Sequence, residues 1–179
     1  MANENQKKVL DNSALVEAIN DMRKEFKPET QNKVINLALR ATFLVPAIID
    51  KSTQLVADAD NHVNFQEKPQ VKFLLITHKE RGTFFPVFTD GAELAKFKSE
   101  QKFQGFAMRF ADIAALTERT PNTAGFVINP MNQSLPFTKA MLEAIKNTLA
   151  KAKKAREEAE KAKSGDEPSH PNITVTTNK

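Results

Sequence analysis

His78 stands at the end of an apolar run, directly before Lys79, Glu80 and Arg81. An imidazole in that position could act as a general base. No serine elbow accompanies it, and no motif requires an aspartate beside it, so a histidine on a surface hairpin is the plainer interpretation. Asp58-Ala59-Asp60-Asn61-His62 has the look of a metal loop. On the calcium-loop template, however, its sixth position is Val63 instead of Gly, and its twelfth is Pro69 instead of a bidentate Glu. It is expected to be a solvated loop, and no metal site is assigned. Glu157 and Glu158 are adjacent carboxylates in a charged stretch that reads as a soluble helix face. No residue is assigned as catalytic and no cofactor is expected.

Composition removes other chemistries. The chain has no cysteine, so disulfides, thiolate zinc sites and thiol nucleophiles are absent together. It has no tyrosine or tryptophan either, which removes the phenol as an acid or nucleophile. The five glycines, Gly82, Gly91, Gly105, Gly125 and Gly165, are never closer than nine positions. Phosphate-cradling loops need several glycines within about six residues so that backbone amides can converge on the anion. The nucleotide-binding loops of that type are therefore excluded.

The aromatic content is phenylalanine alone, thirteen residues between Phe26 and Phe137, and this span marks the expected core. Phe84, Phe85, Phe88, Phe103, Phe106 and Phe110 could line a ligand pocket, although core packing is the stronger interpretation. Alternation along a strand sends Phe84 and Phe88 to one face and Phe85 to the other. If one face is incompletely covered, Phe85 is the candidate exposed contact. Asn129-Pro130 should end a strand in a turn, since Asn bonds its local backbone and Pro stops the ladder; Asn129 could also face a partner. Phe85, Asp90, Asn129 and Pro130 are the candidate interaction residues.

Positioning these residues requires a set of elements that hydropathy outlines. Leu15, Ile19, Met22 and Phe26 predict a helix from about Asn12 to Phe26, with Asn12 or Ser13 as its cap. Pro28 opens a second helix with Val34, Leu37, Ala38 and Ala41 as its stripe. Thr42 to Ile49 predicts a strand, in which Pro46 argues for an edge or a bulge. A polar connection follows to Gln70, pinned by Val56 and Phe65. Val71 to His78 and Thr83 to Phe88 predict a hairpin around Lys79-Glu80-Arg81-Gly82, the first strand buried on both faces through Phe73, Leu74, Leu75 and Ile76. Asp90 and Glu93 have capping-box spacing for a helix with Leu94 and Phe97 inside. Gly105 to Phe110 is a strand, Asp112 to Glu118 a helix with Ile113 and Leu116 inside, and Ala124 to Ile128 a fifth strand. A long helix starts near Pro136, with Phe137, Met141, Leu142, Ile145 and Leu149 in register. Beyond Ala150, Ala152, Ala155, Ala159 and Ala162 replace the large residues. Residues 151–163 hold six basic and three acidic side chains, a net of +3 out of +4 for the whole chain. The domain is expected to carry little net charge.

The expected organisation is a flexible segment 1–11, an α+β domain 12–150, a charged Ala-rich helix extension 151–163 and a disordered tail 164–179. The fold class is α+β: one compact domain with a mixed sheet of about five strands, flanking helices and a long C-terminal helix. The first eight residues contain no apolar stretch of the secretory kind, and no apolar run approaches 18 residues. With the absent cysteine, a cytoplasmic location and no membrane insertion are expected.

The block from Val71 to Pro130 has a particular order: strand, turn, Phe85-Pro86-Val87-Phe88-Thr89-Asp90, a helix with Leu94, Phe110-Ala111-Asp112-Ile113, then Val127-Ile128-Asn129-Pro130. Upstream, two helices lead into Phe43-Leu44-Val45-Pro46. This arrangement resembles the N-terminal domain of the SseB (enhanced serine sensitivity) family over roughly residues 12–150. The resemblance implies a small cytosolic α+β domain without an established enzymatic activity and with no catalytic residues to carry over. The expected function is a non-enzymatic module with a protein-contact or regulatory role, its partner of unspecified identity. One alternative is a small-ligand binder or enzyme using the Phe-rich pocket with His78 or Asp112. A second is weak nucleic-acid binding through Lys151 to Lys163, which the near-neutral body makes the less favoured.

Overall fold

The structure is a computed structural model that describes residues 10–50, 56–57, 63–64 and 70–164. The Asp58–His62 loop, Phe65 and the tail beyond 164 lie outside the described residues. The fold is α+β. The chain divides into two compact units, Met1–Lys139 and Ala140–Lys179.

The first unit opens with α1 (Ser13–Lys24) and α2 (Pro28–Arg40). Leu15, Ala18, Ile19 and Met22 bury one face of α1, and Val34 and Ala38 one face of α2, as the 3.6-residue spacing requires. The start of α1 differs from expectation. Asn12 does not cap it; Asp11 accepts the Ser13 N–H at 3.1 Å and the Ser13 hydroxyl at 2.6 Å. These bonds hold the Asp11 carboxyl below its ordinary range. Asn12 instead donates to two strand-side carbonyls, Thr42 O at 2.8 Å and Thr89 O at 2.7 Å.

Strand β1 (Thr42–Asp50) is the centre of a three-stranded antiparallel sheet, flanked by β4 (Gln70–Phe73) and β7 (Gln104–Arg109). A short ribbon pairs β2 (Val56–Ala57) with β3 (Val63–Asn64). A four-stranded sheet has the order β5 (Ile76–His78), β6 (Gly82–Val87), β8 (Gly125–Ile128), β9 (Leu135–Thr138). Its central pair, β6 and β8, is parallel. Between them in sequence lie α3 (Gly91–Ala95), β7 and α4 (Phe110–Arg119).

Pro46 is therefore on a central strand, neither at an edge nor at a bulge. The reason is a change of partner along one edge of β1. Leu44 exchanges both backbone bonds with Phe88, at 2.8 and 2.9 Å, whereas the Pro46 carbonyl accepts from Leu74 at 2.9 Å. Pro46 stands where the ladder passes from one neighbour to the next. Pro86 is its counterpart on β6, between Phe84, which pairs with Ile76, and Phe88, which pairs with Leu44. A missing N–H is tolerated where no strand faces it. The same seam splits the expected strand Val71–His78. Its halves, β4 and β5, join different sheets across Leu74 and Leu75, and Leu75 is exposed. The expected burial of this run on both faces is not observed.

The aromatic centre of the core lies on one face of the four-stranded sheet. Phe85, Val87, Phe126, Ile128 and Phe137 point there and are buried. Phe110, at the first position of α4, meets Phe126 edge-on at 5.4 Å and Phe137 at 5.3 Å, while Phe126 and Phe137 stack at 5.2 Å. Phe137 belongs to β9, a strand in a position where the sequence suggested the start of a helix.

The second unit is built on α5 (Lys139–Ser164), one continuous helix of 26 residues. Every residue from 146 to 163 is exposed. Lys153–Glu157 and Lys154–Glu158 approach to 3.9 and 4.0 Å along its surface. No helix among the described residues is long and apolar enough to cross a membrane.

Candidate functional site

The four residues singled out from sequence separate into three environments. Phe85 is only 3% exposed, so it is not the exposed contact that alternation allowed. It shares the core face with Phe126, its register partner on β8, and Phe73 meets it edge-on at 6.4 Å. On the opposite face Phe84 and Val127 are buried as well, and it is Ile76, Pro130 and Pro136, half-buried, and Met131, exposed, that remain open there.

Asp90 and Asn129 belong to a polar network that ties the two strand ends together. Asn129 follows β8 and is fully buried. Its Oδ1 accepts the Thr89 N–H at 3.0 Å, and its Nδ2 donates to Thr89 Oγ1 at 2.9 Å and Gln133 Oε1 at 2.8 Å. The Thr89 hydroxyl donates to Asp90 Oδ2 at 2.9 Å. Asp90 Oδ1 accepts the Glu93 N–H at 2.8 Å, which caps α3. Both carboxylate oxygens of Asp90 are thus engaged inside the fold. Glu93 does not complete a capping box. Its Oε1 takes Lys96 at 2.5 Å and Asn132 at 3.0 Å, while Oε2 is buried without a hydrogen-bond partner among the described residues. Asp90 also borders an open groove of about 520 Å³ along α1, where Asp11, Glu17 and Asp21 make the wall acidic.

Pro130 lies elsewhere, on a groove of about 270 Å³ across the outer face of the four-stranded sheet. Pairing explains its floor. Ile76 sits opposite Phe84, and Val127 opposite Pro136, so one face of four successive strands contributes apolar surface. The β8–β9 connection adds Pro130 and Met131, the latter 53% exposed. His78, Arg81, Thr77 and Ser134 complete the lining, and none of the lining residues carries a carboxylate. Gly82, with φ of 93°, closes the turn that brings Arg81 to this face; the left-handed region suits glycine. His78 Nδ1 accepts the Glu80 N–H at 3.2 Å, so the turn also orients the imidazole.

The structure brings His78, Phe84 and Pro130 together but leaves Asp112 apart, exposed on α4. Of the six phenylalanines considered as pocket walls, Phe84 alone lines this groove. Phe88, Phe97 and Phe103 pack in a row at 5.6 and 5.4 Å, and Phe106 meets Phe73. Sequence reasoning did not single out Met131, Ser134 or Pro136. The available signal was an unusual pair of prolines around a methionine, between a strand and a helix. Among the described residues, no cluster of three or more His, Asp or Glu side chains could hold a metal ion.

The network and the groove meet at Asn129-Pro130, and the motifs that order the chain are those the hydrogen bonds join: Thr89-Asp90 after β6 and Asn129 after β8. No match to the chain was found among curated proteins or solved structures. The family model of the SseB protein N-terminal domain matches residues 15–144, well over half of the sequence, and the chain belongs to that family.

Proposed function

We propose that this SseB-family domain is a non-enzymatic cytosolic module that holds a segment of another protein in the groove lined by Phe84, Pro130 and Met131. The observation that carries this is Met131, a large apolar side chain half exposed beside an apolar floor. Scattered exposed apolar residues are ordinary, but one placed on a concave apolar surface is a contact in waiting. Size favours a protein segment. At about 270 Å³ the groove is below the ~300–1,000 Å³ of sites that enclose small molecules. It can seat one or two side chains of a longer chain. Of the two residues that would suit an enzyme, His78 lines the groove, but Asp112 lies on another element and no carboxylate stands in the lining beside the imidazole.

The test is site-specific photo-crosslinking in cells with the full chain. One version carries the photoreactive residue in place of Met131, and a control carries it in place of Glu17 in the acidic groove. The expected result is a defined protein captured from position 131 and not from 17. Purified, it should bind the wild-type chain roughly tenfold or more tighter than Met131→Gln, as a central apolar contact demands. Equal capture from both positions, or equal affinity for Met131→Gln, removes the groove from the function.

A further inference from the structure

The groove has an electrostatic asymmetry. Its lining contains a guanidinium and an imidazole but no carboxylate. Arg81 is exposed at the tip of the β5–β6 turn and has no ion-pair partner among the described residues. On the same unit, the groove along α1 is lined by Asp11, Glu17, Asp21 and Asp90 with one cation, Lys24. Acidic groups are therefore present on this unit, yet none lines the sheet groove. We infer, resting on the proposal that this groove holds a protein segment, that the segment is an acidic one: a large apolar side chain seated against Met131, Ile76 and Pro130, with an Asp or Glu side chain close by in sequence paired to Arg81.

Three features support this occupant. Arginine presents a planar fork that a carboxylate engages through two parallel hydrogen bonds, and it is more weakly hydrated than lysine, so it suits a contact at the border of an apolar surface. The anchor is placed by backbone geometry: the turn that carries Arg81 is closed by Gly82 in the left-handed region and by the Glu80 N–H bonded to His78. Finally, the carboxylate should belong to a side chain and not to a chain terminus. Capture of a terminal carboxylate uses convergent backbone N–H groups, and two lining residues, Pro130 and Pro136, have none.

The test is selection of a phage-displayed library of random internal 12-residue peptides on the full chain. The selected peptides are then synthesised with acetylated and amidated ends, so that no terminal charge remains, and titrated by fluorescence polarisation. The expected enrichment is Asp or Glu within two residues of Leu, Ile, Met or Phe. Arg81→Glu should weaken binding roughly tenfold or more, the loss of a charge-assisted pair, and replacing the peptide's acidic residue by its amide should do the same. Met131→Gln should weaken every selected peptide. Peptides without acidic residues that ignore Arg81→Glu but still lose affinity on Met131→Gln overturn the acidic occupant and keep the groove. Peptides indifferent to both substitutions, or no enrichment over an unloaded support, overturn the groove proposal itself.

Discussion

At Asn129 backbone and side chain make separate demands. The backbone has φ of 47°, a region where a Cβ is costly and asparagine is among the more tolerant residues. The side chain is buried, and its amide both accepts from the Thr89 backbone and donates to Thr89 and Gln133. Glycine would satisfy the first demand only, and aspartate could not donate. Removing the amide leaves a buried N–H of Thr89 unpaired, worth about 1–3 kcal/mol. The left-handed backbone adds about 1–2 kcal/mol for alanine but not for glycine. Asn129→Ala is expected to lower stability by about 3 kcal/mol, and Asn129→Gly by about 1 kcal/mol less, in urea denaturation. An alanine variant as stable as wild type would contradict this structural role. The sequence allowed two roles for Asn129, a turn or a contact, because an Asn-Pro pair announces a turn without saying whether the amide faces inward. Thr89, forty positions away, decides it. Asn12 shows the same limit, since its spacing predicted a cap while its partners are the carbonyls of Thr42 and Thr89, far along the chain.

Elements were legible where one periodicity ran uninterrupted. Helices α1, α2 and α4 and strands β1, β6 and β8 fall within a few residues of the pattern in the sequence. The failures have a common cause, strands that change neighbours. Nothing in Phe73-Leu74-Leu75-Ile76 marks the point where the chain leaves one sheet for another, because a continuous apolar run serves either sheet equally. Strand β9 is short and contains Pro136, and Phe137 continues the helical register of Met141 and Ile145, so its sequence looked like the start of α5. Proline suits β9 as an edge strand and protects that edge from further pairing. Strand β8 explains why Gly125 carries no side chain. A Cβ there would collide with the Phe137 backbone carbonyl, while at Gly105 the close contact would be with the flexible end of Leu94, Leu44 standing at ordinary contact distance. Gly125→Ala must push β9 outward and disturb the Phe126–Phe137 stack. We expect a loss of about 3 kcal/mol or more, with Gly105→Ala smaller by at least half. Thermal denaturation of both variants decides this, and equal melting temperatures would refute the close approach.

At the scale of the molecule, the charge is carried by one part and the burial by the other. Residues 151–163 hold a net of +3, the helix is exposed from 146 to 163, and its large apolar residues give way to alanine. This change of composition was plain in the sequence, because a helix without a core must be sustained by propensity and i,i+4 pairs. The groove was not, because its walls come from positions 76 to 136 and only the pairing of four strands brings them to one face. The contrast makes a prediction for a chain ending at Ala150. The deletion removes no buried side chain among the described residues, and the exposed pairs it removes contribute at most a few tenths of a kcal/mol each. The shortened chain should melt within about 1 °C of the full one. It should also retain the partner captured from position 131, since every residue lining the groove lies before Lys139. A large drop in melting temperature would show that the helix stabilises the body. Loss of the partner at unchanged stability would move recognition from the sheet groove to the charged helix. In that case binding should weaken with salt, as exposed charges are screened over a Debye length of about 8 Å at physiological ionic strength. Retention of the partner with little salt dependence would place recognition on the apolar floor of the groove.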